Sequence, residues 1–181
     1  MFKFTFLIGF VLIGRVYMLL PKTYDVRFVS FSTTGEGYVD VSKVRLTGRD
    51  HRINGTFEVL RDMGDETFSV SGETFNDVEG NGEFKQLPFY MPKQPICKML
   101  RTYWSYAKAS VKYGENTDYP VDTLPCPIPK GTYYVKDVEI NTDGWPMVIP
   151  RGFLKGVASL YDNNEMVGTL SALIHVTDKH S

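Results

Sequence analysis

The 181-residue chain has few of the residues from which catalytic and metal sites are built, with three histidines and two cysteines in all. None of them falls at metal-ligand spacing, so no metal centre is expected. The short signatures of catalysis are missing as well: no Gly-x-Ser-x-Gly elbow, no His-Glu-x-x-His pair and no glycine loop closed by Lys-Ser/Thr to cradle phosphate. Gly35-Glu36-Gly37 lacks a third glycine and a following helix. His51 stands at a strand start, His175 on the polar side of a strand and His180 in the C-terminal tail. Without partner motifs each reads as a surface residue rather than a base. Asp65-Glu66 falls in a turn and reads as solvated. The expectation is a protein that is not an enzyme and needs no cofactor.

An excess of charge of one sign is lacking too. Twenty basic residues stand against 21 acidic ones, for a net charge of −1. Without a basic face, a nucleic-acid partner is not expected. No internal repeat occurs, and one apolar stretch, Phe4 to Leu20, approaches membrane length. Arg15 interrupts it, which makes a poor membrane span. Lys3 followed by Phe4 to Ile13 has the layout of a secretory signal, although no Ala-x-Ala-like triplet marks a cleavage site. The reading is therefore a signal peptide over residues 1–20 and one domain over 21–181, in a secreted, extracellular protein. An uncleaved anchor is the alternative. Loss of Lys3 and Arg15 with the signal would leave a net charge of −3.

In an oxidising compartment, Cys97 and Cys126 read first as a disulfide, with a reactive thiol as the alternative. Closing a loop of about thirty residues would stabilise the fold by roughly 3–4 kcal/mol. Asn54-Gly55-Thr56 is an N-glycosylation sequon.

Aromatic side chains are abundant, with eleven Tyr and twelve Phe, and they fall in alternating patterns. Tyr24 to Phe31 places Tyr24, Val26 and Phe28 on one face and Val29 and Phe31 on the other. Tyr38 to Leu46, Arg52 to Leu60 and Glu66 to Thr74 follow as strands, with Ile53, Phe57, Val59, Phe68 and Val70 inward and Asn54 outward. Thr132 to Ile140, Phe153 to Tyr161 and Met166 to Val176 complete the set. In the last of these, Met166, Gly168, Leu170, Ala172, Ile174 and Val176 make one apolar face. Gly/Asp turns at short spacing argue for antiparallel hairpins. Pro88, Pro92 and Pro95 read as a loop. A helix follows over about 95–110, with Ile96, Met99, Leu100, Tyr103 and Ala107 on its apolar side, Pro95 in its first turn and Gly114 ending it. Tyr119 to Pro129, rich in proline, reads as an ordered extended segment. The fold class is mainly β: a two-sheet antiparallel sandwich or cup with one peripheral helix.

The aromatic residues have two readings. They fill a solid core, or the sheets splay and the same residues line an apolar cavity.

Three segments, ICKML at Ile96 to Leu100, CPIPKGTYYVKDV at Cys126 to Val138 and WPMVIPRG at Trp145 to Gly152, carry a family resemblance. Together they resemble the insect secreted family that includes the chemosensory A- and B-type proteins of fly gustatory hairs. That family is distantly similar to the ML lipid-recognition domains, such as the ganglioside activator protein. The resemblance implies an ML-like, immunoglobulin-like cup open along one edge and a disulfide between Cys97 and Cys126. It also implies a role in chemosensation, with a cuticular hydrocarbon or pheromone as the ligand. The chain has at most one disulfide, where ML domains carry more.

The expected function is binding of an apolar small molecule or lipid. The expected walls are Phe57, Val59, Phe68, Val70, Leu154, Leu170 and Ile174, with Leu100, Tyr103 and Trp104 as a lid and Trp145 at the rim. The alternative is a ligand-free interaction module that engages a membrane receptor or ion channel through Trp145 and the proline-rich loop. Oligomeric state is not legible in the sequence.

Overall fold

The computed structural model describes residues 22–179. The expected signal segment over 1–20 and His180 lie outside them. Eight strands form two antiparallel sheets. In chain order they are β1 (Tyr24–Thr34), β2 (Val39–Thr47), β3 (Arg52–Val59), β4 (Phe68–Asp77), β5 (Lys85–Pro95), β6 (Gly131–Val138), β7 (Gly152–Asp162) and β8 (Glu165–Asp178). A helix, α1 (Ile96–Tyr103), and a 3₁₀ turn (Trp104–Tyr106) lie between β5 and β6. The larger sheet runs β1-β8-β7-β4-β5 and the smaller β2-β3-β6. The mainly β fold and the single short helix agree with the sequence pattern.

Four local details depart from it. The stretch with Pro88 and Pro92 is not a loop but an edge strand, β5, paired with β4. Both prolines fall where the β4–β5 register shifts, and an edge strand with bulges tolerates the missing N–H donors. In β1 the register shifts between Phe28 and Ser30, so Phe28 pairs with Ile174 and Phe31 with Ala172. The extra residue, Val29, turns Phe31 back to the same face as Phe28. A shift between Leu160 and Tyr161 on the β7–β8 ladder likewise carries Met166 out of the apolar face of β8, leaving it 63% exposed.

The fourth departure is the helix, which ends at Tyr103 rather than continuing toward Gly114. The Trp104 carbonyl accepts from the Ala107 and Lys108 N–H groups, while the Tyr106 carbonyl accepts from the Trp145 indole at 2.7 Å. The Ala107 bond is of the 3₁₀ type, and the Tyr106 carbonyl is taken by the indole rather than by an N–H further along the chain. Pro95 precedes the helix and offers no side-chain cap. The Cys97 N–H donates instead to Asp65 Oδ1 at 2.7 Å, so an acidic side chain from the loop before β4 serves the helix N-terminus.

The core sits at one end of the molecule, where the two sheets face each other. Val59, Met63, Phe68, Val70, Ile96, Cys97 and Ile128 are buried there, with Phe57, Leu100, Tyr119 and Leu160 packed around them. The Cys97–Cys126 disulfide closes this end, with Cα atoms 5.9 Å apart. Among the described residues no cysteine is free. The exposed side of β6 is covered by the preceding loop: Lys136 N–H donates to Asn116 O at 2.9 Å, and the buried Thr117 hydroxyl donates to Tyr134 O at 2.8 Å. Such cover blunts an open sheet edge.

Candidate ligand-binding site

Along the inner face of the larger sheet, residue size changes abruptly. At the core end β4 presents Phe68 and Val70, and β7 presents Leu160. Two residues further along, β4 presents Gly72 and Thr74, paired with Ala158 and Gly156 of β7. Those in turn pair with Leu170 and Ala172 of β8. Bulk returns at the next rung with Leu154 opposite Ile174. The middle of the sheet is thus a low floor between taller apolar walls.

Above this floor lies an open cavity of about 750 Å³. Its far side is built by Leu87, Phe89 and Met91 of β5, by Tyr103 and Tyr106 at the end of the helical segment, and by the Trp145–Pro150 loop. Ile140 and Phe28 complete the lining. No residue of β2, β3 or β6 contributes. The cavity exists because the smaller sheet covers the core end of the larger one and leaves the other end to a loop. It is not a space between two splayed sheets.

The expected walls divide on that boundary. Leu154, Leu170, Ile174, Tyr103 and Trp145 line the cavity. Phe68 and Val70 are buried in the core because the smaller sheet and α1 sit over them, and Val59, Phe57 and Leu100 belong to those covering elements and pack into the same core. Trp104 is half-buried but does not reach the cavity, since the 3₁₀ turn directs the next aromatic, Tyr106, toward it. The apolar face of β8 is correspondingly a cavity wall rather than a core strand, and Leu170 is 47% exposed.

The loop over the cavity is tied down at several points. Tyr24 OH donates to Pro146 O at 2.6 Å, and burial raises the phenol above its ordinary value, against the opposing pull of the nearby Arg151 guanidinium. The phenol therefore stays protonated as a donor at neutral pH. Lys22 donates to Thr142 O. Arg151 bonds Ile149 O at 2.8 Å, Thr23 Oγ1 at 3.0 Å and Asp178 Oδ1 at 2.8 Å. Asn76 Nδ2 donates to Arg151 O at 3.1 Å, while its buried Oδ1 has no partner among the described residues. At the mouth the exposed groups are apolar: Phe89 at 63%, Tyr90 at 71%, Met147 at 48% and Val148 at 82% exposure.

Asn54 lies on β3, half-buried, and its amide is engaged: Nδ2 donates to Thr47 Oγ1 at 2.7 Å and Oδ1 accepts from Asp137 N at 2.8 Å. His175 stacks on Phe153 with ring centroids 4.4 Å apart, and His51 Nδ1 lies 2.7 Å from Phe28 O.

Several lining residues lay outside the sequence-based set, among them Phe28, Met91, Gly156, Ala158 and Ala172. The inner register of β7 and β8 contained the last three in plain view. A glycine in the interior of a strand is a recognised sign of close approach by a ligand or another backbone. The β5 residues could not be found while β5 read as a loop.

A DUF1091 domain, described as a protein of unknown function, is found at residues 70–155. The matched stretch runs from β4 through β5, α1 and β6 into β7, and so contains both cysteines, the loop over the cavity and the β4 part of its floor, Gly72 and Thr74. No curated protein matches the chain.

Proposed function

We propose that this chain is a secreted binding protein that holds an apolar small molecule or lipid on the inner face of its larger sheet. The observation that carries the reading is the cavity itself. Its volume of about 750 Å³ lies in the range of small-molecule sites, and its lining is predominantly apolar and aromatic. Each methylene withdrawn from water there would contribute about 0.8 kcal/mol. The chemosensory part of the proposal, with a cuticular hydrocarbon or pheromone as cargo, rests on the resemblance of the three segments around Cys97, Cys126 and Trp145. Secretion and a glycan at Asn54 belong to the same reading.

The test is native mass spectrometry of protein secreted from insect cells, followed by organic extraction and lipid analysis. A stoichiometric apolar molecule is expected, and Leu170→Glu should be secreted yet free of it. Leu170 is half exposed, so the fold tolerates the change while a carboxylate enters the cavity wall. Equal cargo in wild type and variant would sink the assignment of this cavity. A second reading, a module that presents its surface to a membrane receptor or ion channel, is supported by exposed Met147, Val148, Phe89 and Tyr90 around the mouth. Receptor capture that survives both lipid extraction and Leu170→Glu would favour it.

A further inference from the structure

Most strand and turn glycines of this molecule have an evident reason. At Gly55 and Gly168 a Cβ would meet the neighbouring backbone, Lys43 O at 2.1 Å and Thr34 O at 2.5 Å. Gly72 is crowded by Met91 at 3.3 Å. Gly48, Gly82 and Gly114 have open space but lie outside the strands at positive φ. Gly156 meets neither condition. It sits in the middle of β7 without a positive φ, and among the described residues nothing lies within 4 Å of where its Cβ would be. A strand-interior glycine forgoes side-chain packing and loses more backbone entropy on folding than any other residue. Nearly any side chain at this position would stabilise the strand. The space left open is the centre of the cavity floor, between Thr74 and Ala172.

The charges nearest that floor face the other way. Glu73 and Lys155 border the cavity but alternate to the opposite face of the sheet: Glu73 Oε1 accepts from Gln86 Nε2 at 2.9 Å, and the Lys155 ammonium lies 5.6 Å from the Phe84 ring. An ionised group lowered onto the floor would find no counter-charge among the described residues, which strongly disfavours it.

We propose, resting on the binding function above, that Gly156 determines ligand specificity. An uncharged ligand with an extended hydrocarbon chain crosses β4, β7 and β8 in contact with the Gly156 backbone. The experiment measures displacement of the apolar dye N-phenylnaphthylamine from secreted protein by hexadecanol and by hexadecanoate at neutral pH. Hexadecanol should bind, and hexadecanoate should be weaker by roughly tenfold or more, because its carboxylate loses water without gaining a partner. Gly156→Leu should weaken hexadecanol by roughly tenfold or more while the melting temperature stays level or rises, with Gly156→Ala in between. If Gly156→Leu is not secreted, Gly156→Ala and Gly156→Ser carry the same comparison. Full affinity in the Gly156 variants, with Leu170→Glu still impaired, would overturn the Gly156 assignment and leave the cavity reading standing. Equal affinity for hexadecanoate would overturn the uncharged class. Wild-type protein that binds neither dye nor hexadecanol would overturn the cavity reading, and this inference with it.

Discussion

Asp77, at the end of β4, organises the β4–β5 connection with a single carboxylate. It is only 3% exposed, and its oxygens accept from the N–H groups of Gly80 at 2.7 Å, Asn81 at 3.3 Å and Gly82 at 2.7 Å. Burial opposes the charge, but the N–H groups of Gly82, Gly80, Asn81 and Glu79 outweigh it and hold the carboxyl below its ordinary value. A carboxyl whose folded pKa is depressed stabilises the fold above its unfolded pKa, near 4, and loses that contribution as pH falls through the folded value. Melting temperature should therefore decline below about pH 4. Asp77→Asn should melt lower than wild type at pH 7, and the gap should narrow as the medium is acidified. A gap that stays constant with pH would show that Asp77 acts through shape rather than charge. At this scale Gly156 is the counterpart: one residue gives a hairpin its fixed end, the other gives the sheet its open floor.

At the scale of elements, the disulfide joins the start of α1 to the extended segment before β6, the two cysteines lying 29 positions apart in the sequence. Replacing both cysteines by alanine should cost about 3–4 kcal/mol on the loop-entropy account, read as a lower denaturation midpoint. Because α1 leads directly into Tyr103 and Tyr106, the same variant should also bind apolar ligand more weakly. Unchanged binding would mean that the Trp145 bond to the Tyr106 carbonyl alone holds that side of the cavity. The elements differ in how clearly the sequence announced them. Seven strands were visible from runs of β-prone Tyr, Phe, Val and Ile bounded by turn residues, most cleanly in Arg52 to Leu60 and Glu66 to Thr74, where apolar and polar residues alternate. β5 was not, since its prolines mimic a loop and only the partner strand shows that they fall at bulges on an edge. Bulges also hid the true faces of Phe31 and Met166, since one extra residue reverses a period-two pattern. The cavity walls were half legible: inward positions could be read, but not which inward positions the second sheet would cover.

For the whole molecule, the proposed binding function would link stability to ligand. A ligand that binds only the folded state and is present at 100 times its dissociation constant adds about 2.7 kcal/mol, which for a domain of this size raises the melting temperature by about 5–10 °C. Thermal scans with and without hexadecanol should show that rise in wild type and lose it in Leu170→Glu. Absence of any shift in wild type would count against an apolar ligand in this cavity.

Phe68, Val70 and Leu160 occupy one end of the sheet's inner face and Leu154, Ala172 and Ile174 the other. The residues that form the core are thus largely not those that line the cavity. Substitutions at well-separated positions without shared partners act almost independently. The cavity end can therefore accumulate change while the core end keeps the chain folded. A scaffold divided in this way lets the shape of its cavity diversify without first having to be rebuilt.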